Sequence, residues 1–459
     1  MIKKLLFDRH HFACRGDVWI ADGEYEIRTS EIEKIGPVFV ADKPWERCHL
    51  NWLTVTEDNG KFRMWYEAFS NPADDFGCRL CYAESDDLLR WEKPNLGICE
   101  FEGSKENNIV IDNSLTHGMG FHGHSIYIDP NSPPYARYRC VFLGALLRPE
   151  DMSKQGLVSF AYSPDGIHWT HGAPEIPTDY NHMPVTAFGS DTQSCVRWDT
   201  EKRKYIGYFR NLERNGCRSI ARGESSDGVH WSEPVTVLRP DMYDNLNADY
   251  YNSAATKVTD GGDTAHYIFY SFFNHSTETL DIRLATSRDG INFDRYSRVP
   301  FVPNGENCDR GAMYAAAGIH NLPDGRQCII YSASNHRHCD PAAPNEKSGC
   351  YMLAAFERDR LQGLYVKKHF EFTVNGYVDP SCPEVTVNAD IRGKICGGLI
   401  DDNGDFVPGF SPDDCIPLKG NSTEHVMKWK GTAAQESKVW LKLYIDDADI
   451  WSVTVNGDR

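Results

Sequence analysis

The sequence predicts an all-β chain, a five-bladed β-propeller followed by a smaller C-terminal β-sandwich. The first reason is a seven-residue phrase that recurs as Ser85-Asp-Asp-Leu-Leu-Arg-Trp91, Ser163-Pro-Asp-Gly-Ile-His-Trp169, Ser225-Ser-Asp-Gly-Val-His-Trp231 and Ser287-Arg-Asp-Gly-Ile-Asn-Phe293, with a weaker fifth copy at Glu357-Arg-Asp359. Successive copies start 78, 62, 62 and 70 residues apart, the length of one multistranded blade. The second is that each copy follows a short apolar strand, and its Asp-Gly step suits a tight turn whose aromatic partner wedges between blades. The third is that helical periodicity is nearly absent, while β-branched and aromatic runs broken by Gly, Asp, Asn and Pro fill the chain.

Residues 1 to about 40 read as an N-terminal strand or clasp that helps close the ring, so the propeller is expected to occupy 1–369. The first strands of the blades are HLNWLTV, HSIYIDP, QSCVRWD, NSAATKV and MYAAAGI, each followed by a Tyr- and Trp-rich second strand and then by the strand carrying the phrase. Beyond residue 370 the phrase stops. The tail to 459 alternates apolar and polar residues as a sandwich does, with Asn403-Gly404 as a hairpin turn. Low-complexity linkers are absent, so the two domains should pack against each other.

First strands of a propeller line its channel, so the residues entering them converge on one mouth. Paired carboxylates at such a mouth can divide acid and base work, one kept protonated and one ionised. Asp191, entering the third blade, is the leading catalytic candidate, against a turn-capping role in Ser190-Asp191-Thr192. Asp309, beside Arg310 on the fifth blade, and Asp249, before Tyr250-Tyr251 on the fourth, are the other two, against ordinary ion pairing. His122 and His124 flank Gly123 and point to the same side of a strand, where they can meet one ligand. Glu46 and Asn51 on blade one, Gln193 and Arg310 complete the expected substrate-binding set, with Glu67, a carboxylate costly to bury inside an aromatic strand unless paired or near the pocket.

A net charge of −18 without a Lys/Arg block excludes nucleic-acid and anionic-membrane partners, and no apolar run approaches the roughly 20 residues of a spanning helix. Met1-Ile-Lys-Lys-Leu-Leu-Phe passes directly into Asp8-Arg-His-His without a signal-peptide core, so a cytoplasmic protein is expected. Fifteen cysteines at irregular spacing read mainly as buried thiols. Cys78-Arg-Leu-Cys81 is the only CxxC and has no second pair, so no cofactor and no metal are expected; an ion held by His122, His124 and His49 is the lesser reading. Homo-oligomerisation is left open.

The segments MWYEAF, CYAESDDLLRWEKPNLG, AYSPDGIHW, SDTQS and PGFSPDDCIPLKG resemble the five-bladed propeller glycosidases, specifically bacterial proteins labelled glycoside-hydrolase-32-like, over nearly the whole chain. The resemblance implies a propeller plus sandwich and carboxylate chemistry at the channel mouth, as in glycoside hydrolase families 32, 43 and 68. Cys48-His-Leu-Asn51-Trp52 stands where family 32 carries Trp-Met-Asn-Asp-Pro-Asn, and neither an Arg-Asp-Pro triplet nor a Glu-Cys pair occupies the expected blade. The family's catalytic set is therefore not carried over. The expectation is a glycoside hydrolase acting on a terminal sugar of a small oligosaccharide or glycoside. The alternatives are a phosphorylase or transglycosidase, for which Arg310 with Arg210 suggests a phosphate pocket, and a non-catalytic carbohydrate-binding propeller.

Overall fold

The computed structural model describes all residues except 71–77, 113–120, 145–156, 173–181, 184–191, 229, 339, 341–347, 433–437 and 458–459. Among the described residues there is no α-helix, and no helix long and apolar enough to cross a membrane. Five antiparallel sheets form the blades. Blade I is His49–Asp58, Lys61–Phe69, Arg79–Ser85 and Ile109–Ile111. Blade II is His122–Ile128, Tyr138–Gly144, Leu157–Ser163 and Thr170–His171, with His182–Met183 also on its third strand; blade III is Cys195–Asp199, Lys204–Leu212, Arg218–Ser225 and Val235–Leu238. In blade IV the first strand is interrupted, Ala248–Tyr250 and Ala254–Asp260 both pairing with Asp263–Asn274, which also pairs with Thr279–Ser287. In blade V, Ala312–Ala315 and His320–Asn321 share Gln327–Ser334, followed by Cys350–Phe356.

The fourth strand of blade V comes from the N-terminus: Glu33–Val40 pairs antiparallel with Cys350–Phe356 and closes the ring. First strands bond to their neighbours all round the channel, through Ile126 N to Thr54 Oγ1 (3.5 Å), Val196 N to Ser125 Oγ (3.0 Å), Arg197 Nη1 to the Ala255 carbonyl (2.9 Å), and Gly318 N to Thr256 Oγ1 (2.8 Å). Blade V returns to blade I through Leu50 N to the Ser348 carbonyl (3.2 Å).

The recurring phrase is a structural device. In blade II the Ser163 hydroxyl accepts from Gly166 N (2.9 Å), and Asp165 Oδ1 accepts from Ile167 N and His168 N (2.9 and 2.8 Å); blades I and IV repeat the scheme around Asp87 and Asp289, and in blade III Gly228 N and His230 N make the corresponding bonds to Ser225 and Asp227. The turn needs a left-handed residue, supplied by Gly166, Gly228 and Gly290 and, in blade I, by the buried Leu88 at φ 66°. Each aromatic joins the apolar cluster between its blade and the one before, Trp169 with Trp65 and Tyr82, Trp231 with Tyr127 and Phe160, Phe293 with Tyr208. The fifth copy lacks the serine, and Asp359 instead takes Lys3 (2.7 Å), so this turn anchors the N-terminus.

The tail is a seven-stranded arrangement built on Gln362–Thr373, Val385–Ile400, Leu418–Val426 and Trp440–Val455, to which Ile2–Leu5, Ala21–Gly23 and Glu26–Thr29 add. Its two 16-residue strands break register near Ile391/Lys394, and such bulges bend strands so that the two layers of the sandwich share them around one core of Phe12, Phe370, Phe372, Leu443 and Ile445. The expected boundary at 369/370 falls inside Gln362–Thr373. Leu5 N bonds Asp263 of blade IV (2.8 Å), and Gln362 Nε2 bonds the Phe7 carbonyl (2.7 Å), so propeller and sandwich are sewn together.

Candidate functional site at the channel mouth

Glu67 lies on the second strand of blade I, opposite the register break between Leu50 and Leu53. Strand alternation directs Trp65 and Glu67 toward blade II and Tyr66 toward blade V. The carboxylate is fully buried. His122 Nδ1 meets Oε2 at 2.9 Å, and His124 meets Oε1 through Nδ1 (3.0 Å) and its backbone N–H (3.3 Å). Burial opposes ionisation, yet the two imidazoles outweigh it and hold the acid down at about 2. Both histidines therefore meet Glu67. Gly123 makes this geometry by adopting φ 61° at a strand irregularity; a Cβ there would stand 2.5 Å from the Thr192 carbonyl oxygen. His124 Nε2 also reaches the Trp65 carbonyl (3.2 Å), leaving His122 as the partly exposed member of the pair.

From His122 an aromatic path crosses the mouth. Trp52 Nε1 approaches His122 Nε2 (3.5 Å); Trp52 packs on Tyr314 (4.3 Å between ring centres) and lies parallel to Tyr251 (6.4 Å). His338 accepts or donates at Tyr314 Oη (2.8 Å) and packs edge-on against Tyr251 and Phe273 (4.7 and 4.8 Å). The Arg218 guanidinium sits over Tyr251 (5.1 Å) and pairs with Asp249 Oδ2 (2.8 Å), whose Oδ1 accepts from Arg218 N (2.9 Å). His275 Nε2 completes the cage at 2.8 Å. Despite burial, these bonds keep the Asp249 carboxyl below the ordinary range. Asp249, Arg218, His275, Arg210 and Asp244 line a cavity of about 610 Å³ between blades III and IV at this end of the propeller.

The remaining sequence candidates divide clearly. Gln193 is buried beside this cluster and donates to the Leu53 and His124 carbonyls (2.8 and 2.9 Å), locking blades I, II and III together. Asn51 and His49 are half-buried on blade I; His49 Nδ1 meets Ser348 Oγ (2.9 Å), and desolvation with neighbouring His336 pushes it down to about 4. Glu46 is fully buried and spent: Oε1 accepts from Tyr66 (2.5 Å), and Oε2 from Asp42 N, Lys43 N and Lys93 Nζ (2.9, 3.1 and 2.8 Å). Asp309 pairs with Lys34 of the ring-closing strand (2.5 Å), while its neighbour Arg310 is exposed and bonds the Asn335 carbonyl (3.0 Å). Arg310 lines a groove of about 540 Å³, while Arg210 lines the cavity beside Asp249. Asp191 lies outside the described residues.

Trp52, Tyr251, Tyr314, His338, Arg218 and His275 were not singled out by sequence reasoning. One signal was available: His336-Arg337-His338 leaves the second strand of blade V with the same spacing as His122-Gly123-His124. No protein-family profile matches the chain, and no curated protein matches its sequence. Solved structures do resemble it in fold. A glycosyl hydrolase from Bacteroides ovatus is 13% identical (TM-score 0.49, 73% of this chain and 95% of that one). Sucrose-6-phosphate hydrolase from Lactobacillus gasseri is 12% identical (0.43, 89% and 91%), and an N-acetylgalactosamine deacetylase from F. plautii, in complex with blood group B trisaccharide, is 16% identical (0.43, 74% and 97%). At these identities they transfer no site residue and no activity.

Proposed function

We propose that the protein is a glycoside hydrolase that removes a terminal sugar from a short oligosaccharide or simple glycoside bound at the channel mouth. The observation that carries this reading is the continuous run from Asp249 through Arg218, Tyr251, Trp52 and His122 to Glu67, which gathers ionised carboxylates, imidazoles and aromatic rings at one end of the ring. Sugar hydroxyls suit the Asp249 carboxylate and the accessible imidazoles of His122 and His275, and the rings of Trp52 and Tyr251, buried beneath them, hold these groups in place. Asp249, ionised and facing the cavity, would accept substrate hydroxyls or offset positive charge developing at the sugar ring. Glu67 is closed to solvent and would act through His122, fixing its orientation. The base or nucleophile in this reading is Asp191, the carboxylate that enters the third blade in sequence.

One observation favours a carbohydrate-binding protein without turnover as the second reading. Glu67 and Asp249 are both held ionised, whereas hydrolysis needs a protonated acid as well. The deciding experiment is a panel of chromogenic furanosides and pyranosides with wild type and Asp191→Asn. Hydrolysis by wild type, reduced at least about 10²-fold in a folded Asp191→Asn protein with binding retained, supports the assignment. Sugar binding without turnover by wild type on any member establishes the second reading.

A further inference from the structure

We infer that Glu67, Cys78 and His122 form a binding site for a zinc-class divalent cation. One ligand atom from each residue lies within 4.8 Å of the others, and Glu67 and Cys78 are fully buried. Carboxylate, thiolate and imidazole are the three protein donors such ions take, and a set of three leaves a further position for water or another ligand. The sulfur discriminates against magnesium and calcium, which prefer oxygen. No spacing motif announces the site, because its donors enter from the second strand of blade I, the start of its third strand, and the first strand of blade II.

The surroundings suit an ion. Gln193 bonds the His124 carbonyl, and His124 in turn holds the second oxygen of Glu67, so the carboxylate is oriented by a supporting shell. His122 is the ligand with exposure, its side chain 17% accessible, so the cation would enter past it from the mouth. The Cys78 thiol donates to the Phe121 carbonyl. Binding would replace that proton: the thiol proton passes to solvent, the thiolate bonds the cation, and the 2+ charge offsets two anionic ligands that burial otherwise penalises. This inference stands apart from the glycoside reading, since a cation here is compatible with hydrolysis, with sugar binding alone, or with neither.

The test uses the full chain, stripped with a chelator and titrated with Co²⁺. One equivalent should bind with a sulfur-to-cobalt charge-transfer band in the near ultraviolet, and Zn²⁺ should displace it. Cys78→Ala should abolish the band. His124→Ala should keep the band while weakening binding about 10–100-fold, the cost of losing a supporting residue. Absence of stoichiometric binding by wild type, or an unchanged band in Cys78→Ala, overturns the site. Should Cys78→Ala not fold, X-ray absorption of the zinc-loaded wild type decides: one sulfur near about 2.3 Å supports the site, and a shell of nitrogen and oxygen alone overturns it.

Discussion

The two ends of each blade obey different rules. At the end bearing the Asp turns, the described residues make the same bonds from blade to blade, and nearly all are local: the Ser hydroxyl accepts from the turn glycine, or from Leu88 in blade I, and the Asp carboxylate accepts from backbone N–H groups two and three residues on. Contacts between blades repeat there as well, since Trp65 donates to the Gly166 carbonyl (2.6 Å) and Tyr208 to the Gly290 carbonyl (2.8 Å). At the mouth the described residues follow no repeat. Glu67, the His122/His124 pair, Gln193, the Asp249 cage and His338 stand each in its own blade context and bond across blades, His338 through its N–H to the Glu278 carbonyl. Repetition marks what holds the ring, and departure from it marks where the molecule can act.

The largest expected effect that tests this contrast is at Glu67. Glu67→Gln keeps shape but withdraws the negative charge that orients His122 and His124, so turnover should fall about 10²-fold, comparable in kind to mis-setting a catalytic imidazole. Stability should fall by about 1–3 kcal/mol, because the amide cannot accept all three bonds. If Glu67 acts only as a scaffold, the loss will appear in melting temperature with kcat unchanged.

Asp165→Ala is the matching change at the other end. It removes an acceptor for two backbone N–H groups and a side-chain partner for His168, a capping loss of about 1–2 kcal/mol. Denaturant unfolding should register it, while turnover and sugar binding should stay within about twofold, because the turn touches nothing at the mouth. A kinetic defect without a stability defect would dissolve the distinction between the two ends.

That distinction also explains what was legible in the sequence. Five blades could be read because the phrase is local and repeated, and ring closure by the N-terminus because residues before about 40 carry no copy. His122 and His124 were legible as a pair through their spacing, but their partner was not, since Glu67 lies 55 residues away on another sheet. Glu46 illustrates the converse. It looked like a pocket residue beside the first strand, yet a Pro44–Glu46 turn folds it inward onto Tyr66 and Lys93. Asp309 sits next to Arg310 in sequence but pairs with Lys34, a residue 275 positions away that only ring closure brings near.

Acid should sharpen the picture through a different set of groups. His49 and His320 are pushed down to about 4, and His266 to about 3, chiefly by desolvation. Each is neutral in the folded chain but takes a proton in the unfolded chain below about 6.5, so the unfolded state binds more protons and stability declines as pH falls from about 6.5 toward 4. Glu67 and Asp58, both near 2, lose their contributions only below about 4.5. Unfolding free energy measured against pH should therefore fall in two stages, the first removed in part by His320→Gln. A flat profile between 6.5 and 4.5 would mean that these imidazoles are not held neutral.

The smallest expected effect concerns Asp309, where the two rules compete for one residue. Its carboxylate enters blade V at the mouth end, yet its partner Lys34 belongs to the strand that closes the ring. Lys34→Met removes the charge while keeping much of the stem. If Asp309 serves closure, stability should drop by about 1 kcal/mol, the upper range for a single ion pair open to water on one side, and turnover should be unmoved. If Asp309 instead reaches substrate, the same change frees its carboxylate from Lys34 to reorient at the mouth, so KM should change even where stability hardly does. Substrate affinity separates the roles because a pair that only closes the ring has no contact through which to alter it.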